Sequence, residues 1–122
     1  MKITTFNPLI VSPKADEIVK LFEELGFEKR HEIKAGDNDE ITSTRMKDAE
    51  GNYVDVAKTR NTSRDLTLIR MNVDDFDEAY ALLTEKGFKN PRGDKTIETK
   101  TNKSAMMISP SGFAFDLCQH FK

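Results

Sequence analysis

Asp55 and Asp116 are the residues whose placement most suggests chemistry. Each stands four residues after a turn glycine, Gly51 in Gly51-Asn52-Tyr53-Val54-Asp55 and Gly112 in Gly112-Phe113-Ala114-Phe115-Asp116, with apolar neighbours on both sides. The two glycines lie 61 positions apart in a chain of 122 residues, so the carboxylates occupy equivalent points of two halves. Such a pair can hold a divalent ion, perturb each other's pKa, or be neutralised by a cationic side chain. The other reactive side chains offer less. His31 sits in the charged run Lys29-Arg30-His31-Glu32 and His120 near the C-terminal end, and both read as surface residues. Cys118 is the single cysteine, which excludes an internal disulfide and fits a reducing compartment. With no His or Asp partner pattern beside it, an inert buried thiol competes with a reactive one. No phosphate-cradling glycine loop, zinc-spaced Cys/His set or nucleophile elbow is present.

The elements that must position the aspartates follow from patterning. Residues 3–11 read as a strand, with Pro8 suited to an edge or strand start. Ser12-Pro13 suits a helix start, and Ile18, Leu21, Phe22 and Leu25 fall at i, i+3, i+4 and i+7, one apolar stripe ended by Gly26. Strands over 27–34 and 40–47 flank a polar loop at 34–39, and a turn at Ala49-Glu50-Gly51 leads into a strand at 53–58. After the polar linker 59–64 the order repeats. A strand covers 66–73, and Asp75 with Glu78 has capping-box spacing. Phe76, Ala79, Tyr80 and Leu83 form the second stripe, and Gly87-Phe88 matches Gly26-Phe27 at the same offset of 61. A Pro/Gly loop at 90–95 precedes strand candidates at 96–101, 104–109 and 113–119. The expected architecture is α+β, two tandem β-α-β-β-β modules (1–60 and 61–122) in one domain.

Composition bounds the function. Charged residues make up 33%, aromatics 8%, and the net charge is −2 with no basic face, which argues against nucleic acid as a partner. No apolar run reaches the length of a bilayer span, and the first eight residues lack a signal-peptide core, so the expectation is a cytoplasmic protein without a membrane partner.

Val-Ser-Pro followed by Leu-Phe-Glu-Glu-Leu-Gly-Phe in one half, Val-Asp-Asp-Phe-Asp-Glu-Ala followed by Gly-Phe in the other, and the closing Pro-Ser-Gly-Phe-Ala-Phe-Asp-Leu resemble the vicinal oxygen chelate superfamily. That group contains glyoxalase I, bleomycin-resistance proteins, fosfomycin-resistance enzymes and ring-cleaving dioxygenases. The resemblance covers nearly the whole chain and implies a half-open eight-stranded cup with the helices outside. It also implies a place for one divalent metal ion, held from the first and last strand of each module. Carried over, the four places are Phe6, Asp55, Leu68 and Asp116, with Thr67 as a fallback for Leu68. The family's His, Gln and Glu are replaced there by Phe, Leu and two shorter Asp. Phe and Leu offer no donor atom, so the resemblance with this departure implies no metal cofactor, weak Mg²⁺ or Mn²⁺ binding by the two aspartates being the alternative.

Strand alternation extends this reading. If Phe6 and Leu68 face the cup, so do Pro8, Ile10, Arg70 and Asn72, leaving Leu9, Val11, Ile69, Met71 and Val73 for the helices. Tyr53, Asp55, Ala57, Ala114, Asp116 and Cys118 would also face inward. Arg70 then stands where a metal would, either as a structural salt-bridge partner or as a grip for an anionic ligand. Tyr53 is either a hydrogen-bonding ligand contact or a packed strand tyrosine, and Phe6 and Leu68 line an apolar wall. The favoured function is binding of an unidentified small molecule without the family metal, by Phe6, Tyr53, Asp55, Leu68, Arg70 and Asp116. A divalent-metal-dependent lyase, isomerase or dioxygenase using Asp55 and Asp116 is the alternative, and a closed-cup interaction protein a third reading. The catalytic residues of an enzyme remain unassigned. The resemblance also implies a homodimer.

Overall fold

A computed structural model describes residues 1–35, 40–59 and 63–121. The chain runs β1 (Ile3–Ser12), α1 (Ala15–Glu24), β2 (Glu28–Ala35), β3 (Glu40–Lys47), β4 (Tyr53–Lys58), β5 (Leu66–Val73), α2 (Phe76–Glu85), β6 (Ile97–Glu98), β7 (Asn102–Ile108) and β8 (Ala114–His120). This is the β-α-β-β-β module twice over. Two compact units result, Asn7–Thr67 and Met1–Phe6 with Leu68–Lys122. Parts of the loop at 34–39 and of the linker at 59–64 lie outside the described residues. Among the described residues no helix is long and apolar enough to cross a membrane.

In the first unit the strand order is β2-β3-β4-β1, antiparallel except for β4 and β1, which run parallel. A parallel pair needs a long crossover, and α1 lies on it. The helix covers Met46, Val54 and Val56 with Ala15 and Val19, and Ile10, Ile18, Phe22 and Phe27 close the edges of that core. Its buried face differs from the expected stripe, since Leu21 and Leu25 are exposed. Ala15 and Val19 take their place because small and β-branched side chains let a short helix approach the sheet closely. Ser12 does not cap it. Its hydroxyl ends β1, donating to Asp65 Oδ1 at 2.5 Å and accepting from the Lys14 N–H at 3.0 Å, while Lys14 precedes the first helical residue.

The second unit repeats the order as β5-β8-β7-β6, with β5 and β8 parallel. Asp75 caps α2 as expected, its Oδ1 accepting from Glu78 N–H at 3.1 Å. Phe76, Ala79, Met71, Val73, Ala105, Met107 and Leu117 form the core, with Tyr80, Leu83, Phe88 and Phe115 packed against it. Sequence placed the next two strands at 96–101 and 104–109. The structure shortens the first to Ile97–Glu98 and starts the second at Asn102. The beginning of β1 also belongs here. The Lys2 N–H donates to Asp74 Oδ1 at 2.6 Å, the Asp74 N–H to the Lys2 carbonyl at 3.0 Å, and the Phe6 ring lies 6.5 Å from that of Phe115.

Both helices stop in the same way. Gly26 and Gly87 have φ of 104° and 93°, a region costly for residues with a Cβ. Phe27 N–H bonds the Phe22 carbonyl and Phe88 N–H the Leu83 carbonyl, each at 2.9 Å, the six-to-one bond of a Schellman end. The accompanying apolar contact is seen in Phe22 and Phe27, whose rings meet edge-on at 5.2 Å.

Candidate functional site

The first unit presents Asp55 on the sheet face opposite α1. Val54 and Val56 pack under the helix, so alternation turns Asp55 the other way. Its carboxylate is fully buried, and Arg45 grips it with both arms of the guanidinium, Nε to Oδ1 at 2.8 Å and Nη2 to Oδ2 at 2.9 Å. Such a fork is the strong form of the pair. Arg45 stands directly across from Asp55 in the β3–β4 register and also donates from Nη2 to Asn7 Oδ1 at 3.4 Å. Arg45 was not among the residues expected from sequence. Its signal was available: Met46 is an apolar core residue, and alternation places Arg45 on the opposite, Asp55-bearing face. Tyr53 shares that face and is partly exposed, with the Arg45 guanidinium 5.7 Å and the Lys47 ammonium 5.2 Å from its ring centre.

The second unit presents Asp116 the same way, opposite the Met71–Leu117 core. Here the arginine comes from the other flank. Arg70 lies across from Asp116 in the β5–β8 register, with Nε 3.1 Å and Nη2 3.0 Å from Oδ2. The strand on the far side, β7, puts Met106 across from Asp116, whereas in the first unit Leu9 lies across from Asp55 on β1. The halves therefore keep the aspartate and swap which neighbouring strand supplies the guanidinium. Leu68 is buried two residues before Arg70, on the same face by alternation. Asn72 is also buried; its Oδ1 has no hydrogen-bond partner, and it lies across from the buried Cys118. Arg70, expected beside both aspartates, pairs with Asp116, while Asp55 has Arg45 instead.

Phe6 is corrected. It is 58% exposed, and its ring approaches Phe115, which packs toward α2. Leu9, expected against the helix, lies beside Asp55, and Ile10, expected in the cup, packs in the α1 core. Phe6 and Leu68 stand 62 positions apart, one more than the repeat of 61. The register pairs Leu9 with Asp55 and Arg70 with Asp116, restoring 61 and moving the first place from Phe6 to Asn7. Asn7 is buried and holds an amide oxygen toward Arg45.

No family model matches the sequence, and no curated protein sequence matches it. Solved structures do match in fold. A glyoxalase/bleomycin resistance protein/dioxygenase superfamily member from Vibrio splendidus 12B01 is 16% identical, with 97% of this chain and 99% of that chain covered and a TM-score of 0.62. Methylmalonyl-CoA epimerase from Mycobacterium tuberculosis is 12% identical over 98% of this chain and 90% of its own, with a TM-score of 0.69. Glyoxalase I from Zea mays is 14% identical over 98% of this chain, with a TM-score of 0.67, and the chain spans 44% of that protein.

Proposed function

We propose that this chain, which has the vicinal oxygen chelate fold, is a small-molecule binding protein that works without the divalent metal associated with that fold. The observation that carries the reading is the pairing of each aspartate with its own arginine. At the four carried-over places stand Asn7, Asp55, Leu68 and Asp116. Leu68 has no donor, and both oxygens of Asp55 and Oδ2 of Asp116 already face guanidinium groups at 2.8 to 3.1 Å. A divalent ion on those oxygens would sit beside a fixed positive charge and would have to displace it. Among the described residues, no three His, Cys, Asp or Glu side chains lie together as a ligand set. The donor set therefore does not fit the metal. What Arg70 and Asp116 fit is a polar ligand held by hydrogen bonds, with Leu68 supplying an apolar wall on the same face.

The deciding measurement is titration of the apo protein with Mn²⁺, Ni²⁺ or Zn²⁺ by calorimetry. The expected outcome is no stoichiometric binding at micromolar metal. Tight one-to-one binding that Asp116→Ala abolishes would instead overturn this reading in favour of the alternative, a divalent-metal-dependent lyase, isomerase or dioxygenase using Asp55 and Asp116. A homodimer is part of the proposal and is read by light scattering.

A further inference from the structure

A cavity that none of the paired arginines and aspartates lines lies where α2 meets β6, β7 and the loop before β6. Its volume is about 330 Å³ and it is lined by Phe76, Asp77, Tyr80, Ala81, Asp94, Thr96, Glu98 and Lys103. That volume is at the lower end of small-ligand pockets. Its floor is aromatic, with the Phe76 and Tyr80 rings stacked at 5.7 Å. Three carboxylates stand around it against one ammonium. The chain's own lysine shows what the cavity receives. The Lys103 Nζ lies 5.0 Å from the Phe76 ring centre, 3.0 Å from Asp77 Oδ1 and 3.5 Å from Glu98 Oε1. An alkylammonium is thereby already held by an aromatic face and carboxylates together, and the Asp77 hydrogen bond raises the Lys103 pKa above its usual value.

The opposite wall is built in advance. Asn90 Oδ1 accepts from the Arg92 N–H at 2.9 Å, and its Nδ2 donates to the Lys95 carbonyl at 2.9 Å and to the Tyr80 hydroxyl oxygen at 3.3 Å. The Tyr80 hydroxyl in turn lies 3.4 Å from Asp94 Oδ1. The loop is thus tied to the helix, and Asp94 is fixed beside Tyr80 while Lys103 occupies Asp77 and Glu98. A wall fixed in advance loses little conformational freedom when a ligand arrives.

We propose that this cavity is a binding site for a small primary amine with a flat apolar body, the ring lying on Tyr80 and the ammonium meeting Asp94, independently of any ligand at the arginine–aspartate faces. Tyramine is the probe, titrated into the full chain and followed by two-dimensional amide NMR. The expected result is saturable binding with a Kd on the order of 1 mM, as for a ligand of this size. The largest shifts should fall at residues 76–81, 94–98 and 103. Asp94→Asn weakens binding about tenfold. Ala81→Trp, a substitution at an exposed helix position that fills the cavity, abolishes it with the fold intact. N-acetyltyramine, which lacks the charge, fails to bind. Absence of saturation by tyramine, equal binding of the acetylated compound, or shifts centred elsewhere would each overturn the proposal.

Discussion

Arg45 and Arg70 look alike in sequence and differ in the surroundings of their partners. Asp55 is fully buried, whereas Asp116 and Arg70 keep about a fifth and a seventh of their side-chain surface. Taking a guanidinium from a buried carboxylate leaves a charge that water cannot reach, a loss of roughly 3–5 kcal/mol. A partly exposed pair loses less, roughly 1 kcal/mol, because water takes over part of the interaction. Arg45→Met should therefore lower the urea midpoint far more than Arg70→Met. The double variant Arg45→Met with Asp55→Leu should recover most of the loss, because it removes both charges at once. If the two single variants are equally stable, burial of Asp55 does not govern the energetics. The sequence shows both arginines and both aspartates but not how they pair. Each aspartate has a strand on either flank, and only the register reveals that the guanidinium comes from β3 in one half and from β5 in the other.

At the level of elements, what sequence reveals well is what one local interaction decides. The helix ends are such a case: a Gly-Phe pair after each stripe is enough, because the left-handed residue and the following apolar contact are both local. The two glycines are not equivalent in their surroundings, however. A Cβ on Gly26 would meet nothing within 4 Å, while one on Gly87 would stand 3.0 Å from Pro110 Cγ. Gly26→Ala should cost about 1 kcal/mol for the left-handed backbone alone. Gly87→Ala should cost measurably more in the same denaturation assay, and Pro110→Ala should bring it back toward the Gly26→Ala value. Strand faces were harder to read. In β1, Leu9 is buried beside Asp55 while Ile10, pointing to the opposite side, packs in the α1 core, and in β5 Leu68, Met71, Asn72 and Val73 are all buried. A strand covered on both faces has no hydrophobic alternation to fix its parity, so sequence alone does not separate Phe6 from Asn7 as the inward residue.

For the whole molecule, the 61-residue period made the duplicated architecture legible, because each module carries its own stripe, glycine stop and closing hairpin. What the period conceals is that β1 serves both units. Asn7–Ser12 belongs with β4, while Met1–Phe6 belongs with Leu68–Lys122. A duplication read linearly assigns every residue to its own half, whereas the backbone follows hydrogen bonds. Removing residues 1–6 would delete the paired bonds between Lys2 and Asp74, the ion pair of the Met1 ammonium with Glu78 at 3.1 Å, and the Phe6–Phe115 contact. All of these anchors lie on the β5–α2–β8 side. Amide exchange followed by mass spectrometry on the truncated chain should show lost protection in peptides from 68–83 and 114–120, with peptides spanning 43–58 retaining theirs. Loss confined to the first unit would mean that the start of β1 stabilises its own module after all. Equal loss in both would mean that the units open as one cooperative block, so that the first six residues act on the molecule rather than on the half they contact.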